Sequence, residues 1–180
     1  MKKFPENFLW GAAMSAPQTE GQSLNFGKSA TTWDYWFQTA PEKFHQQQGP
    51  AITSDVYGQY LKDCQRMQEI GLNSVRTSIS WARLLPDGKT VNPQAVAFYR
   101  QYFTAMRDHG VEPIINLFHF DMPMWLSVVA GKVGKPLPPL PFTPRHHLSC
   151  SVIWLKNGRP LTSRLSMWNA ATCISITTQQ

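Results

Sequence analysis

The feature that most constrains this fold is a repeated pattern of amphipathic helix and apolar strand between residues 54 and 120. A helix over about 55–70 is predicted by Ser54 as its cap, by Gly71 after it, and by an apolar stripe at helical spacing. That stripe consists of Val56, Tyr60, Cys64 and Met67. SVRTSISW at 74–81 follows, and its alternation of apolar and polar residues is typical of a strand.

The second unit repeats this order. Asn92 as cap and Pro93 at the first position predict a helix over about 93–109, which Gly110 ends. Its apolar stripe consists of Val96, Tyr99, Phe103 and Met106. EPIINLFHF at 112–120 is a nearly continuous apolar strand. Buried strands separated by helices predict a parallel α/β sheet.

An earlier strand is predicted by FLWGAA at 8–13. We expect this strand to be buried, with Gly11 where the backbone passes close to a neighbour. Residues 22–53 lack a clear period and predict a long loop with short helical pieces. The aromatic residues Trp10, Trp33, Trp36 and Trp125 are expected to be core.

Polar side chains follow the predicted strands, at the end where parallel α/β folds bind ligands. QTEG at 18–21 offers an amide and a carboxylate, although turn chemistry explains it equally well. HFDMP at 119–123 combines an imidazole, an aromatic face and a carboxylate, which suits a sugar ring; the alternative is a core histidine and phenylalanine. Arg76 lies inside an apolar strand, and a buried guanidinium needs a carboxylate partner.

Charge divides the chain at about residue 126. Residues 1–126 contain eleven Lys and Arg against eleven Asp and Glu, whereas residues 127–180 contain six basic residues and no acidic one. The formal charge of +6 therefore belongs to one segment, which also has five prolines between 136 and 144. The three cysteines form no C-x-x-C pair, which predicts reduced thiols in the cytoplasm. The nine-residue apolar run FLWGAAMSA is too short and too interrupted to favour an export signal.

Four motifs in order resemble glycoside hydrolase family 1. They are FPENFLWGAA at 4–13, QTEG at 18–21, RTSISWAR at 76–83 and HFDMP at 119–123. The runs SAPQTEG and GPAITSDVY are most similar to the bacterial 6-phospho-β-glucosidase branch. The resemblance covers residues 4–126 and implies the N-terminal part of a (β/α)8 TIM barrel, about three of eight strands, followed by an irregular tail.

The resemblance also implies a retaining mechanism with two glutamates. Gln18 and His119 would bind hydroxyls of the glycone, and Arg76 would lie beside the nucleophile, which supplies the anion that it needs. The family carries its acid/base in an N-E-P motif and its nucleophile in an E-N-G motif. Neither motif occurs in these 180 residues, so no catalytic residue is assigned and we expect the chain as given to be inactive.

The segment 127–180 is interpreted as an out-of-frame translation. When the third base of each codon is joined to the first two of the next, codons exist across Val128–Leu137 that yield GGWESRETV, which is typical of the family at this point. The shifted frame also permits FGDLVKKWTTFNEP across Cys150–Arg164. Met167, Trp168 and Asn169 have little codon freedom, and they force V and then E. We therefore expect a frameshift, in the gene or in its sequencing, and no selected function for the tail.

Two functional hypotheses remain, with a third of lower weight. The first is hydrolysis of phosphorylated β-glucosides in the cytoplasm, with no metal or organic cofactor, no nucleic-acid partner and no membrane partner. The second is a non-enzymatic remnant that binds sugar weakly. The third, a basic interaction module, rests only on the tail. An incomplete barrel leaves strand edges open, so self-association or chaperone binding is expected.

Overall fold

The computed structural model describes residues 3–22 and 24–126, together with the backbone of three two-residue strands between 152 and 160. Three parallel strands form the centre: β1 (Gly11–Ala13), β2 (Ser74–Ser78) and β3 (Glu112–Asn116). β2 lies in the middle and pairs in parallel with both neighbours. The predicted parallel α/β arrangement is confirmed, although each strand is shorter than the sequence pattern indicated.

Helices connect the strands in the predicted order. The segment between β1 and β2 contains α1 (Ala16–Thr19), α2 (Thr32–Thr39), two 3-10 turns and then α3 (Val56–Glu69). The segment between β2 and β3 contains α4 (Trp81–Leu84) and α5 (Pro93–Asp108). In the described residues, no helix is long and apolar enough to cross a membrane.

The core lies between the sheet and the two long helices. The buried positions of α3 are Val56, Cys64 and Met67, as the stripe predicted, and Tyr60 packs at the edge of the cluster. α5 buries a wider face than its predicted stripe, with Val96 only half-buried. The buried residues of α5 are Ala95, Phe98, Tyr99, Tyr102, Phe103, Ala105 and Met106. Because α5 lies against both α3 and β3, it needs the wider apolar face.

The helix ends agree with the sequence at α5 and differ at α3. Asn92 caps α5 by accepting a hydrogen bond from the Gln94 N–H at 3.0 Å, as predicted. The predicted Ser54 cap of α3 is wrong, because Asp55 occupies the N-cap with φ of 50° and makes no side-chain cap bond. The Asp55 carboxylate instead accepts a hydrogen bond from the Gln22 amide at 2.7 Å, which fixes the preceding loop.

β1 is an exposed edge strand, so its predicted burial is wrong. Phe8, Leu9 and Trp10, which precede it, are 38%, 47% and 50% exposed. The described sheet has no strand on the outer side of β1, and nothing there covers these side chains. The expected close approach at Gly11 is confirmed, because a Cβ there would collide with the backbone carbonyl of Ser74.

The remaining described strands lie in the segment from 127 onward. β4 (Val152–Ile153) pairs antiparallel with the outer side of β3, and β5 (Leu155–Lys156) pairs with β6 (Arg159–Pro160). The prediction that 127–180 forms a separate irregular tail otherwise falls outside the described residues.

Candidate functional site

The three parallel strands end at one edge, and the segments that follow them carry the candidate site residues. The segments are joined by direct hydrogen bonds. The Ala16 N–H donates to Ser78 Oγ at 2.7 Å, and the Ile79 N–H donates to the Asn116 carbonyl at 3.0 Å. Gln18 after β1 and His119 after β3 therefore flank the end of the central strand, as the sequence predicted for a ligand-binding edge.

Gln18 lies on the short helix α1 and is exposed. Its Oε1 accepts a hydrogen bond from Ser15 Oγ at 2.7 Å, which orients the side-chain amide. Its amide NH2 has no partner among the described residues, so it remains able to donate to a ligand. Ser15 itself is fully buried, which gives the amide a rigid support.

His119 lies three residues after β3 and is half-buried. Its Nδ1 is 3.5 Å from the Asn116 Nδ2, and its ring contacts the Phe120 ring edge-on at 5.0 Å. Burial, and then the charge of Arg76, lower the pKa of His119. A neutral imidazole carries one donor and one acceptor, which is the combination that a hydroxyl group needs.

Arg76 is half-buried rather than enclosed, and its Nη1 donates to the Met14 carbonyl at 3.3 Å. No carboxylate contacts it within residues 3–22 and 24–126. The anion that the sequence predicts for Arg76 is therefore absent from the described residues. Its charge acts on His119 instead.

The fully buried guanidinium belongs to Arg83, which ends the RTSISWAR motif and for which the sequence predicted no role. Arg83 Nε donates to Glu20 Oε2 at 2.7 Å, and its Nη2 donates to the Gly21 carbonyl at 3.1 Å. The Tyr99 hydroxyl donates to Glu20 Oε1 at 2.6 Å. The guanidinium also stacks over Tyr57, 4.3 Å from the ring centroid. This network joins the segment after β1 to α4 and α5.

A signal for this pair was present in the sequence. Glu20 belongs to the QTEG run and Arg83 ends the RTSISWAR run, so both motifs carry one member of the pair. We predicted a buried ion pair for Arg76 because it lies within the apolar strand. Position in a strand was the wrong criterion, because Arg83 lies on the short helix α4 and is buried against Glu20 and the Tyr57 ring.

Asp121 is the second buried carboxyl group at this edge and is 1% exposed. Its Oδ1 accepts a long hydrogen bond from the His119 N–H at 3.4 Å. Burial raises the pKa of Asp121 to about 7. The side chain is therefore close to half-protonated at neutral pH.

An aromatic cluster lies beside His119, and all of its members except the half-buried Phe44 are exposed. It consists of Trp33, Trp36, Phe44 and Phe120. Trp33 Nε1 donates to the Phe120 carbonyl at 3.1 Å, and Thr31 pairs with Pro123, so α2 is attached to the segment after β3. The prediction that Trp33 and Trp36 are core is wrong, because they are 37% and 45% exposed. The same prediction is wrong for Trp10, which precedes the edge strand β1 and is 50% exposed, and Trp125 is half-buried.

The described residues contain no cluster of metal-binding side chains. Among residues 3–22 and 24–126, no group of three His, Cys, Asp or Glu side chains is placed to hold a metal ion. The site is instead a set of hydrogen-bonding and aromatic side chains at the carboxyl ends of parallel strands. That combination defines a partial (β/α) barrel with a polar site of the kind found in carbohydrate-active proteins.

The comparisons identify the family. The model of glycosyl hydrolase family 1 matches residues 1–134, and the chain belongs to that family. The family 1 b-glucosidase from Thermotoga maritima has 32% sequence identity and a TM-score of 0.68, over 73% of this chain and 30% of that one. Aphid myrosinase has 29% identity and a TM-score of 0.68, over 72% and 28%. The predicted fold class, the N-terminal part of a TIM barrel, is thereby confirmed.

Two curated relatives are each similar to 74% of this chain. The chain is 45% identical over 134 residues to "6-phospho-beta-glucosidase GmuD" of Bacillus subtilis (strain 168), which is 74% of this chain and 29% of that protein. It is 40% identical over 136 residues to "Beta-glucosidase 28" of Arabidopsis thaliana, which is 74% and 23%. The chain thus spans less than a third of the length of these relatives.

Proposed function

We propose that the chain represents the N-terminal part of a retaining glycosidase that hydrolyses 6-phospho-β-glucosides in the cytoplasm. The observation that carries the proposal is the placement of Gln18 and His119 on either side of the central strand end, in a chain of family 1. The phosphorylated substrate is supported by the 45% identity to a protein named 6-phospho-beta-glucosidase, against 40% for an Arabidopsis beta-glucosidase.

The role proposed for each side chain follows from its hydrogen bonds, its pKa or its burial. Gln18 has a fixed Oε1 and an available NH2, so it can donate to a glycone hydroxyl. His119 has a lowered pKa and is neutral at pH 7, so it can donate to one hydroxyl and accept from another. Arg76 is half-buried and cationic, so it can stabilise the carboxylate of a nucleophile brought beside it.

The 180 residues by themselves are proposed to be inactive. The retaining mechanism requires two carboxyl groups about 5–5.5 Å apart, one as acid/base and one as nucleophile. Glu20 is engaged by Arg83 and Tyr99, and Asp121 is 1% exposed, so neither can reach a glycosidic bond. The N-E-P and E-N-G motifs are missing from the printed sequence.

The alternative is a remnant that binds sugar without hydrolysing it. It is favoured by the same two side chains, since Gln18 and His119 need no carboxylate to hydrogen-bond a sugar. A basic interaction module is the third candidate, and it rests only on the charge of residues 127–180.

One experiment separates these proposals. The gene is sequenced through codons 120–185, and two proteins are made: the chain as printed and a version with the reading frame restored. Both are assayed with an aryl 6-phospho-β-glucoside and with the unphosphorylated aryl β-glucoside. We expect turnover only from the restored protein, with a clear preference for the phosphorylated substrate.

Three substitutions are made in the restored protein: two in the proposed site and one control outside it. His119→Ala and Gln18→Ala should each lower kcat/KM by about 10²-fold or more if these side chains bind the glycone in the transition state. Leu61→Ala, on the exposed face of α3, should leave kcat/KM unchanged. A restored protein with equal activity on both substrates would reject the phosphate specificity, and turnover by the printed chain would reject its inactivity.

The binding alternative has its own readout. Saturation-transfer NMR of glucose 6-phosphate with the printed chain should give a signal that His119→Ala removes. If the signal persists in that variant, the remnant hypothesis loses its proposed site.

A further inference from the structure

Phe120 has a backbone conformation that is unusual for its residue type. Its φ is 62°, in the left-handed region that residues with a Cβ seldom adopt. Among the described residues, eight residues other than glycine have positive φ, and seven of them lie between 22 and 55, in the long loop before α3. Phe120 is the remaining one, and it directly follows His119. A strained backbone at a candidate site indicates that surrounding contacts hold it there.

A side chain from α2 holds the carbonyl of Phe120. Trp33 Nε1 donates to this carbonyl at 3.1 Å. The hydrogen bond depends on the left-handed conformation, because rotation about the N–Cα bond of Phe120 would move its carbonyl away from a fixed donor. The Phe120 ring itself is 61% exposed, so packing of the ring does not explain the conformation.

The donor lies in the first turn of α2, which is held by a capping box. Trp33 is the second residue of this helix. The Asp34 carboxylate accepts from the Thr31 N–H at 2.8 Å, and the Asp34 N–H donates to the Thr31 hydroxyl at 3.3 Å. Both capping residues are buried. The indole of Trp33 is therefore carried by a fixed backbone.

The same turn is bonded to the chain that follows Phe120. The Thr32 N–H donates to the Met122 carbonyl at 2.9 Å, and the Met124 N–H donates to the Ala30 carbonyl at 2.8 Å. These two backbone bonds fix the chain beyond Phe120 relative to α2. The bond from the indole is the contact that reaches back to Phe120 itself.

We propose that Trp33 is a positioning residue: its indole N–H holds Phe120 in the left-handed conformation and thereby keeps His119 at the ligand-binding edge. The chain turns between the end of β3 and Met122, and φ of Phe120 sets the direction of His119 relative to the part that is bonded to α2. Two contacts accompany this turn, because the His119 N–H donates to Asp121 Oδ1 at 3.4 Å and the His119 ring meets the Phe120 ring at 5.0 Å. The role of Trp33 in sugar binding rests on the proposed function; its hold on Phe120 does not.

The alternative is that Trp33 acts only through the packing of its ring in the aromatic cluster. Its ring centroid lies 5.4 Å from that of Trp36 and 6.5 Å from that of Phe44. Trp36 lies on the same helix and is similarly exposed, but within the described residues its indole donates no hydrogen bond. Replacement of tryptophan by phenylalanine keeps an aromatic ring and removes the N–H. Comparison of Trp33→Phe with Trp36→Phe therefore isolates the hydrogen bond.

The first test is made without sugar, by NMR of the full 180-residue chain labelled with ¹⁵N-phenylalanine. A residue in the left-handed conformation has its N–H close to its own Hα, which gives a strong NOE between these two protons. Phe120→Asn identifies the Phe120 signal by its disappearance. We expect a strong NOE for Phe120 in the unchanged chain and in Trp36→Phe, and a weak one in Trp33→Phe.

Two other phenylalanines in the same sample serve as controls. Phe26 has φ of 53° and supplies the NOE intensity of a left-handed residue. Phe103 is buried in α5, and its amide should keep slow hydrogen exchange in every variant. A strong Phe120 NOE in Trp33→Phe, or an equal loss in Trp36→Phe, overturns the proposal. Loss of Phe103 protection in Trp33→Phe also overturns it, because Trp33 would then support the fold as a whole.

The second test is kinetic and uses the protein with its reading frame restored. Trp33→Phe should lower kcat/KM for the aryl 6-phospho-β-glucoside by about tenfold, the effect of one lost positioning hydrogen bond. In a His119→Ala background the same change should lower kcat/KM by less than about twofold, because the side chain that it positions is already absent. An equal loss in both backgrounds would show that Trp33 acts on another group, and this overturns the positioning of His119.

Failure of the proposed function gives a different result. If His119→Ala alone leaves kcat/KM unchanged, the proposed role of His119 in binding the glycone is wrong. The NOE of Phe120 still decides whether the Trp33 indole holds the turn, since it is measured on the printed chain without substrate.

Discussion

Replacement of Arg83 by methionine should destabilise the chain far more than the same replacement at Arg66. Arg83 is fully buried with Glu20, and their side chains are 0% and 5% exposed. Arg66 pairs with Asp63 at 3.0 Å on the surface of α3, where its own side chain is 65% exposed. The two substitutions remove the same group from two environments, so their difference isolates the effect of burial.

The expected magnitudes follow from these environments. Removal of one partner of a buried pair costs about 3–5 kcal/mol, because the remaining charge is left uncompensated. Arg83→Met also leaves the Gly21 carbonyl without its donor and removes the stacking on Tyr57. Arg66→Met should cost about 0–1 kcal/mol, as is usual for an exposed pair. Because small domains have total stabilities of only about 5–15 kcal/mol, the first change removes a large share of the free energy of unfolding.

The assay is pulse proteolysis of the purified chain across a urea series, at a concentration low enough to limit association. The fraction of protease-resistant chain gives the free energy of unfolding for each variant. A third variant, Glu20→Gln with Arg83→Met, removes the unpaired charge and should be more stable than Arg83→Met alone. If the losses of free energy of unfolding in Arg83→Met and Arg66→Met agree within about 1 kcal/mol, Glu20 is solvated in solution. The burial of the network formed by Glu20, Arg83 and Tyr99 would then be refuted.

Three further outcomes are expected. Trp10→Lys, directly before the exposed edge strand β1, should reduce concentration-dependent light scattering, whereas Leu61→Lys, similarly exposed on α3, should not. Equal effects would show that the edge is not the site of association. The free energy of unfolding should fall by about 3 kcal/mol as pH rises from about 4 to about 7, because the folded-state pKa of Asp121 is raised to about 7, and Asp121→Asn should remove this part of the pH dependence. Cys64, whose thiol pKa burial raises to about 11, should react with iodoacetamide only on unfolding once the other two cysteines are serine; rapid native labelling would contradict its burial.

Much of the fold follows from periodicity. The stripes of α3 and α5 and the glycines at 71 and 110 identify two helices within a residue or two of their observed ends. These signals are local, because a helix must bury one face whatever surrounds it. The Ser54 cap failed for a local reason as well: Asp55 adopts a left-handed conformation, which places it at the N-cap.

Burial of β1 and of the tryptophans was not predictable in the same way. An apolar strand at the centre of a sheet and one at its edge have the same sequence pattern, and only the neighbouring strand distinguishes them. β1 has β2 on one side and no described strand on the other. Its apolar residues therefore face solvent here, although their composition indicates a core.

The positions of the candidate site residues could be predicted in part, whereas their binding roles stay predictions. Strand-end polar residues gave Gln18 and His119, which the structure places at the expected edge. The buried pair of Glu20 and Arg83 was missed, because its members are 63 residues apart and no local pattern links them. The burial of Asp121 was missed for a similar reason, since it depends on residues from three separate segments.

The central position of β2 also has a consequence for the order of folding. β2, α5 and β3 all lie between Ser74 and Asn116, and β3 contacts both β2 and α5, so their pairing closes a shorter loop than that of β1. β1 joins the other side of β2 across more than sixty residues, with Gly11 opposite Ser74. We expect the β2–α5–β3 unit to form while the chain is still leaving the ribosome, and the N-terminal strand to attach afterwards. Gly11 would then act late, as the position at which the arriving strand must fit against a surface that has already folded.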